Sequence, residues 1–397
     1  MAQAELPLAG LRVLDLTQVL AGPYCTMMLA DLGADVVKVE RPGAGDGSRR
    51  WGPPFAGGES AYYLQVNRNK RSLALDLGDD RGREVAARLA RRADVLVESF
   101  LPGAGRRFGL DHETVSAANP GLIHCSIRGF PSDGPDAARP GYDFAVQGLG
   151  GIMSITGHPG GPPTKVGVAV TDITAGMFAC SAVLAALHER GRSGRGRLVE
   201  VALIDAQVAW LANRAADWLI GGLEPGRLGN AHPSIVPYET FRASDGYLNL
   251  AVGTDEQFRR FCDEAGRGDL AVEPRYATNA GRVAAREELV AELAATIARR
   301  PLADWLDVLE RTGVPGGPVL GIPEALAGPA AHMVDEIEHP TAGAIRLVRS
   351  PMRLDGERPG AHRPPPLLGE HGAEVLAELG YPPAEVDALL AGPCRPG

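Results

Sequence analysis

Cysteine is scarce and scattered. The five, Cys25, Cys125, Cys180, Cys262 and Cys394, stand alone in 397 residues, with no CxxC pair. An odd, unclustered set argues against a disulfide framework or a cysteine zinc site and for a reducing compartment. Long apolar runs are missing too: no stretch of about 18 apolar residues occurs, so no transmembrane helix is expected. The opening MAQAELPLAGLRVLDL lacks a basic stretch, an apolar run and a small-residue cleavage site in that order, and does not read as a signal peptide. Positive charge is not in excess. Forty Lys and Arg against 49 Asp and Glu leave a net charge of −9, which speaks against a nucleic-acid partner. No two histidines share a helix face at metal-ligand spacing. No repeat is found, and Arg363–Pro366 is the one low-complexity patch. What remains is an ordinary globular composition, 45% hydrophobic and 22% charged, which excludes extensive disorder. At about 100–200 residues per domain, two or three domains are expected. A cytoplasmic enzyme with no membrane partner is the default reading.

The first 130 residues alternate short apolar runs with helical patterns. Leu11–Thr17, Ala34–Glu40, Ser72–Leu77, Asp94–Phe100 and Leu122–Phe130 read as strands; Tyr24–Leu32 and Asp79–Arg92 read as helices between them. Strands separated by helices imply βαβ units, a mostly parallel sheet and an α/β, Rossmann-like layer. No GxGxxG follows the first strand, so the usual dinucleotide fingerprint is absent. Residues 131–171 are rich in Gly and Pro, and irregular segments of that length are often functional. Helices are expected at Thr174–Arg190 and Ala202–Leu219. From about Gly229 the texture changes to a short strand, Tyr247–Val252, and helices near Glu256–Ala265, Arg282–Arg299 and Ala303–Arg311. A strand-like stretch at Ala344–Val348 and a helix at Ala373–Leu379 close the chain. The expected division is a large domain over 1–222, a smaller α+β domain over 223–321, and a C-terminal segment, 322–397, that returns to the first.

Basic residues gather in the first third: Arg41, Arg49, Arg50, Arg68, Lys70, Arg71, Arg106, Arg107 and Arg128. Ligands of open α/β sheets sit outside the carboxyl ends of strands. Gln18, Arg41, Phe100 and Arg128 fall at or just after strand ends, where they could line one crevice. Arginine forks suit phosphate oxygens, and Phe100 suits an apolar or planar ligand part. The competing reading is that these arginines are solvated and Phe100 belongs to the core. In VGVAVTDITAGMF, Asp172 ends an apolar run and opens a long helix. As a helix-start residue it is expected to be held ionised by the first N–H groups and the dipole. Capping alone and a reactive carboxylate both remain open for it. Tyr142 and Asp143 are the polar members of the Gly-rich segment upstream, and a second carboxylate near Asp172 would couple to it.

Seven ordered blocks carry a resemblance: LRVLDLTQVLAGPYCTMMLADLGADVVKVERPGAGDGSR, NRNKRSLALDL, ADVLVESFLPGAGRRFGL, PGYDFAVQGLGGIMSITG, KVGVAVTDITAG, LHERGRSGRGRLVEVALIDAQVAWL and PPPLLGEHGAEVLAELGY. Together they resemble the class III coenzyme A transferases, the formyl-CoA transferase or CaiB/BaiF family, over nearly the whole chain. The blocks at Gly141–Gly157 and Lys165–Gly176 look most like enzymes that take CoA from succinyl-CoA to small dicarboxylates. The resemblance implies a large Rossmann-like domain built from both chain ends, a smaller middle domain, and a homodimer of interlocked rings. It implies Asp172 as the catalytic aspartate. Leu20, Ala21, Arg41, Leu75, Ser99, Phe100 and Arg107 match contacts to CoA, and Tyr142 and Asp143 match a Tyr–Glu pair near the thioester. Arg128 stands for a lysine. Pro140 falls where another lysine contact stands, with Arg139 its basic neighbour. The family's closing glycine run is absent; Gly229–Pro233 is its nearest counterpart, and the role of His232 stays open.

The implied reaction exchanges one thioester for another through an aspartyl-acyl anhydride, with acyl-CoA and a small carboxylic acid as substrates and no tightly bound cofactor or metal. α-Methylacyl-CoA racemases of the same family are the alternative, but Tyr142 replaces their histidine, and a phenol with pKa of about 10 is a poor base. His124 reads as core and His188 as solvated. His371 belongs to a family block without a derivable role.

Overall fold

The computed structural model describes residues 6–390; Cys394 and the first five residues lie outside them. The chain packs as two units, Met1–Met153 with Lys165–Leu223 and His332–Gly397, and Ser154–Thr164 with Glu224–Ala331. The second unit thus takes in an eleven-residue piece from the stretch the sequence reading gave to the first domain, and runs past 321 to Ala331.

Six strands organise the first unit: β1 (Arg12–Leu16), β2 (Asp35–Glu40), β3 (Lys70–Ala74), β4 (Val95–Glu98), β5 (Ile123–Arg128) and β6 (Leu198–Ala202). All neighbours run parallel, in the order β3-β2-β1-β4-β5-β6. Parallel strands are covered on both faces, which is why most read as apolar runs. Alternate residues serve opposite layers. Val13, Val36, Val95, Val97 and Cys125 meet helices α1 (Ala21–Asp31), α5 (Val170–Ser193) and α6 (Leu203–Ala209). Leu14, Val37, Leu73 and Leu96 meet α2 (Asp80–Arg92), α3 (His112–Ala118) and the helix Gly372–Glu378. Each such fully buried aliphatic side chain contributes about 1.5–3 kcal/mol. The strand order reverses between β1 and β4, so a crevice opens beyond their carboxyl ends.

α1 and α5 approach closely under that crevice. A Cβ on Gly176 would stand 2.6 Å from the Ala21 carbonyl oxygen, so only glycine permits the contact. By length and composition α5 alone, among the described helices, is apolar enough to cross a membrane; more than half of that stretch is buried, with Ala175, Ala179, Cys180 and Val183 in the core.

Several expected elements are redrawn. The predicted helix over Ala202–Leu219 is the end of β6 followed by two helices, α6 and Ala212–Leu219, divided where Ala212 takes φ 43°. The predicted helix over Arg282–Arg299 is two helices, Asn279–Ala284 and Arg286–Ile297. The Gly- and Pro-rich stretch holds α4 (Asp143–Leu149) and a single turn, Ile152–Ile155. An unforeseen strand, Val334–His339, pairs antiparallel with Gly343–Val348.

The second unit has an antiparallel sheet of Tyr238–Arg242, Tyr247–Ala251 and Gly316–Pro318, in the order third-second-first. Phe241, Leu248, Phe258, Phe261, Leu293 and Trp305 form its core. Fully buried Arg282 ties it together through the Val236 and Tyr276 carbonyls and Asp255.

Candidate active site

Two hollows open at the carboxyl ends of the strands. One, of about 420 Å³, is lined by Leu20, Ala21, Ser99, Phe100, Arg128, Arg139, Pro140, Tyr142 and Asp172. The other, of about 530 Å³, is lined by Arg41, Leu75, Arg83, Phe100 and Arg107. Leu16, Gln18 and Phe100 border both, so the two form one groove. The groove gathers Asp172 and every residue that the resemblance matched to a CoA contact, with the exception of Asp143, which is not among its lining residues. A separate hollow of about 230 Å³ at the amino ends of β1 and β2 holds none of them. Its buried arginine, Arg71, is committed to Asp35, Glu374 and Glu378.

Asp172 differs from the expectation in position and charge. The N-cap of α5 is Ala169, with no side-chain cap, so Asp172 sits in the third helical position. Its carboxyl is 8% exposed and makes no hydrogen bond among the described residues. Burial first, and the Asp143 carboxylate second, push its pKa up to about 7, opposite to the low value the helix start suggested. The physical reason is that Asp143 takes the helix-start N–H instead. Its Oδ1 accepts from the Thr171 N–H at 2.9 Å and its Oδ2 from Gln147 Nε2 at 2.7 Å. Gln147, one turn on in α4, is itself fixed by the Val166 N–H at 2.9 Å. The Thr171 hydroxyl donates to Gln207 Oε1 at 2.8 Å. Asp143 therefore caps α5 from another helix, and the neighbouring carboxyl is left desolvated beside a like charge.

Outside the groove lining, half-buried Tyr62 meets Trp51 edge-on at 5.4 Å, and burial with the charges of Asp172, Asp143 and Asp46 raises its phenol. The Gln18 N–H donates to the Ser99 hydroxyl at 3.3 Å. Arg128 is steadied by Ser126 through its Nε at 2.8 Å. At the far end Phe100 meets Phe108 edge-on at 5.5 Å, with the Arg107 guanidinium 4.8 Å over the Phe108 ring. Arg83 is spent partly on the Leu77 and Gly78 carbonyls.

Of the basic cluster, Arg49, Arg68, Lys70 and Arg71 are buried and paired with Glu40, Asp31, Asp15 and Asp35. They support the fold and do not line the groove. His124 is buried in β5 and His188 exposed on α5. The His371 ring accepts from the Ser72 N–H at 3.3 Å. In the second unit the His232 ring lies 5.2 Å from Tyr238 and accepts from the Ser234 N–H. Sequence reasoning missed Gln147, Gln207, Tyr62 and Arg83. Only Gln147 carried a signal, its spacing of four from Asp143 on one helix. Among the described residues no group of three or more His, Cys, Asp or Glu is placed to hold a metal ion.

Residues 8–372 match CoA-transferase family III. The chain is 47% identical over 382 residues to a succinate–glutarate CoA-transferase of Agrobacterium fabrum, covering 94% of this chain and 96% of that protein. It is 42% identical over 389 residues to the human succinyl-CoA:glutarate CoA-transferase, covering 97% and 89%. A succinyl-CoA:mesaconate CoA-transferase of Haloarcula hispanica is 44% identical over 395 residues, covering 94% and 96%. A solved CaiB/BaiF family protein from Brucella suis superposes with a TM-score of 0.85 at 43% identity, covering 94% of this chain and 99% of that one. The chain belongs to CoA-transferase family III and is an enzyme of that class.

Proposed function

We propose that this enzyme moves coenzyme A from succinyl-CoA to a small dicarboxylic acid such as glutarate or mesaconate, with Asp172 as the nucleophile. The observation that carries the reading is a desolvated, unbonded carboxyl lining a groove of two joined hollows, of about 420 and 530 Å³. The relatives named above support the substrate class. Arg41 and Arg107 hold the nucleotide end, with Leu75, Ser99 and Phe100 along the way. Leu20, Ala21, Tyr142 and Arg128 surround the thioester, and Asp143 positions Asp172. Acyl-CoA is the substrate, and no bound cofactor takes part.

In the proposed chemistry the ionised Asp172 attacks the thioester carbonyl. An aspartyl-acyl anhydride forms and CoA leaves as the thiolate. The thiolate attacks the aspartyl carbonyl, giving an aspartyl-CoA thioester and freeing the donor acid. The acceptor carboxylate then attacks that thioester, and the steps run back. Thioester is exchanged for thioester, so no external energy source is required. The first turn of α1 starts without a side-chain cap at Leu20. The N–H groups of Ala21 and Gly22, which precede Pro23, lie at the groove wall for developing oxyanions, worth about 2.7–4 kcal/mol per donor elsewhere. Burial of Asp172 keeps water from the anhydride.

Asp172→Ala is expected to abolish transfer and spare CoA binding, and substantial residual turnover would overturn the assignment. Hydroxylamine added during turnover should mark the Asp172 peptide by mass. Exchange of α-hydrogen in heavy water without an acceptor acid would instead point to racemase chemistry.

We also propose a cytoplasmic homodimer, interlocked as the family resemblance implies. Met177 and Phe178 on α5, with Trp210, Trp218, Leu219 and Ile220 beyond α6, are exposed large apolar side chains in the first unit. Such a concentration suits burial against a second copy. Light scattering at the monomer mass would refute this.

A further inference from the structure

The turn that leads from β1 into α1 is strained. Val19 lies at φ 70°, among only four described non-glycine residues with positive φ. For a β-branched side chain this region is a genuine outlier, and it persists only when the surroundings over-determine it. They do so through one carboxylate. Asp46 accepts the Val19 N–H with both oxygens, at 3.0 and 3.2 Å. The Ser48 N–H and hydroxyl hold the same carboxylate at 2.9 and 2.8 Å. Lys38 pairs with Asp46 at 2.9 Å, and neither side chain has any exposure. The same ammonium donates to the Thr17 carbonyl at 2.8 Å. Lys38 and Asp46 thus grip the turn at two points, Thr17 and Val19. Between and after them lie Gln18, Leu20 and Ala21, which line the groove.

We propose that the buried Lys38–Asp46 pair is a clamp that positions the start of α1 for the thioester, with Asp46 a positioning residue for CoA binding. Released, Val19 relaxes to negative φ, a swing that displaces the backbone of Leu20 and the first turn of α1 from the groove wall. The inference rests on the reading of that groove as the CoA site. The clamp stabilises a strained turn at the cost of burying two charges, an arrangement that apolar residues of similar volume would replace without loss if fold stability alone were served.

The test uses the full chain, with calorimetric binding of free coenzyme A and steady-state constants for succinyl-CoA. Asp46→Leu alone leaves the buried Lys38 ammonium facing only Asp15 and Glu40 as counter-charges. The paired variant Asp46→Leu with Lys38→Met removes both charges and every side-chain acceptor of the Val19 N–H, and nearly keeps the shape. It is expected to melt near the wild type, yet to bind CoA about tenfold or more weakly, the equivalent of releasing one strained residue. The KM for succinyl-CoA should rise by a similar factor, and kcat should fall with it, because the displaced turn carries the N–H groups assigned to the oxyanions; Val19→Gly should recover both. Adding Val19→Gly should restore roughly threefold or more of the affinity, because glycine adopts this φ without a clamp. If the paired variant does not fold, Asp46→Leu with and without Val19→Gly makes the same comparison on one charge background. Unchanged affinity in the folded paired variant, or a loss that Val19→Gly does not reverse, overturns the clamp. A wild-type chain that binds CoA but transfers it to no acid overturns the transferase reading and leaves the binding comparison decisive for the clamp. A wild-type chain that binds no CoA overturns both.

Discussion

Asp172→Asn should make this protein more stable in alkaline solution while destroying its activity. Burial and Asp143 raise the carboxyl from 3.8 to about 7. The folded chain therefore holds this proton more tightly than the unfolded chain does. The contribution to stability is full below about pH 4, falls as the pH rises toward about 7, and is lost above it. At 1.36 kcal/mol per unit, the ionised carboxylate weakens the fold by about 4 kcal/mol. Little solvent screening reduces that figure, since the side chain is 8% exposed. Asparagine keeps the shape and never ionises. Urea unfolding of both proteins across about pH 5 to 9 should diverge as the pH rises, with the variant ahead by roughly 1–2 kcal/mol at the acid end and about 4 kcal/mol at the alkaline end. A constant difference across that range would show that the wild-type carboxylate is not penalised by its site, and the account of Asp172 given above would fail.

Four further outcomes are expected. Below pH about 7, kcat/KM for the acyl-CoA should rise about tenfold per pH unit and then level, because in the proposed mechanism only ionised Asp172 attacks. Asp143→Asn should move that bend to lower pH while costing about 1–3 kcal/mol of stability, since the new amide meets the Gln147 amide donor; a bend that stays put would count against the coupling. Arg41→Ala or Arg107→Ala should raise the KM for acyl-CoA by roughly 5–30-fold with kcat preserved, the effect of losing one charged hydrogen-bond set. Gly176→Ala should lower the melting temperature through about 1–3 kcal/mol of overpacking against the Ala21 carbonyl, and wild-type melting would show that the helices can part freely.

The central sheet was legible because strands buried on both faces read as continuous apolar runs, as in β1, β2, β4 and β5. Strand β6 was not. It lies at the sheet edge, with only Val199 and Ala202 buried, and no Gly or Pro separates LVEVA from the helical LIDAQVA that follows. The break before Ala212 likewise has no sequence mark. It is a backbone turn at φ 43° in a run of good helix formers. At the site, the positions of Leu20, Arg41, Phe100, Arg107 and Asp172 followed from strand ends, a helix start and the family resemblance. The charge state of Asp172 did not follow. It depends on which carboxylate reaches the Thr171 N–H, and the winner is 28 residues upstream. Gln207, 36 residues downstream of Thr171, was equally beyond local reasoning.

The competition for one N–H also bears on reactivity. A carboxylate that accepts two or three backbone N–H bonds has a depressed pKa, and is always ionised but weakly basic. Had Asp172 capped its own helix, it would have been such a group. By ceding the cap to Asp143, it keeps its lone pairs unengaged and its pKa near the working pH. There the fraction ionised and the basicity of the ionised form are jointly favourable. The burial that raises the pKa is the same burial that, in the proposed mechanism, keeps water from the anhydride. Shelter and nucleophilicity therefore come from one feature, and the penalty is the alkaline instability that asparagine should remove. Opening the groove wall to solvent would lower the pKa and relieve that instability, but would expose the anhydride to hydrolysis. A variant that gains stability in this way should turn from transferase toward thioester hydrolase, with free CoA appearing when no acceptor acid is present.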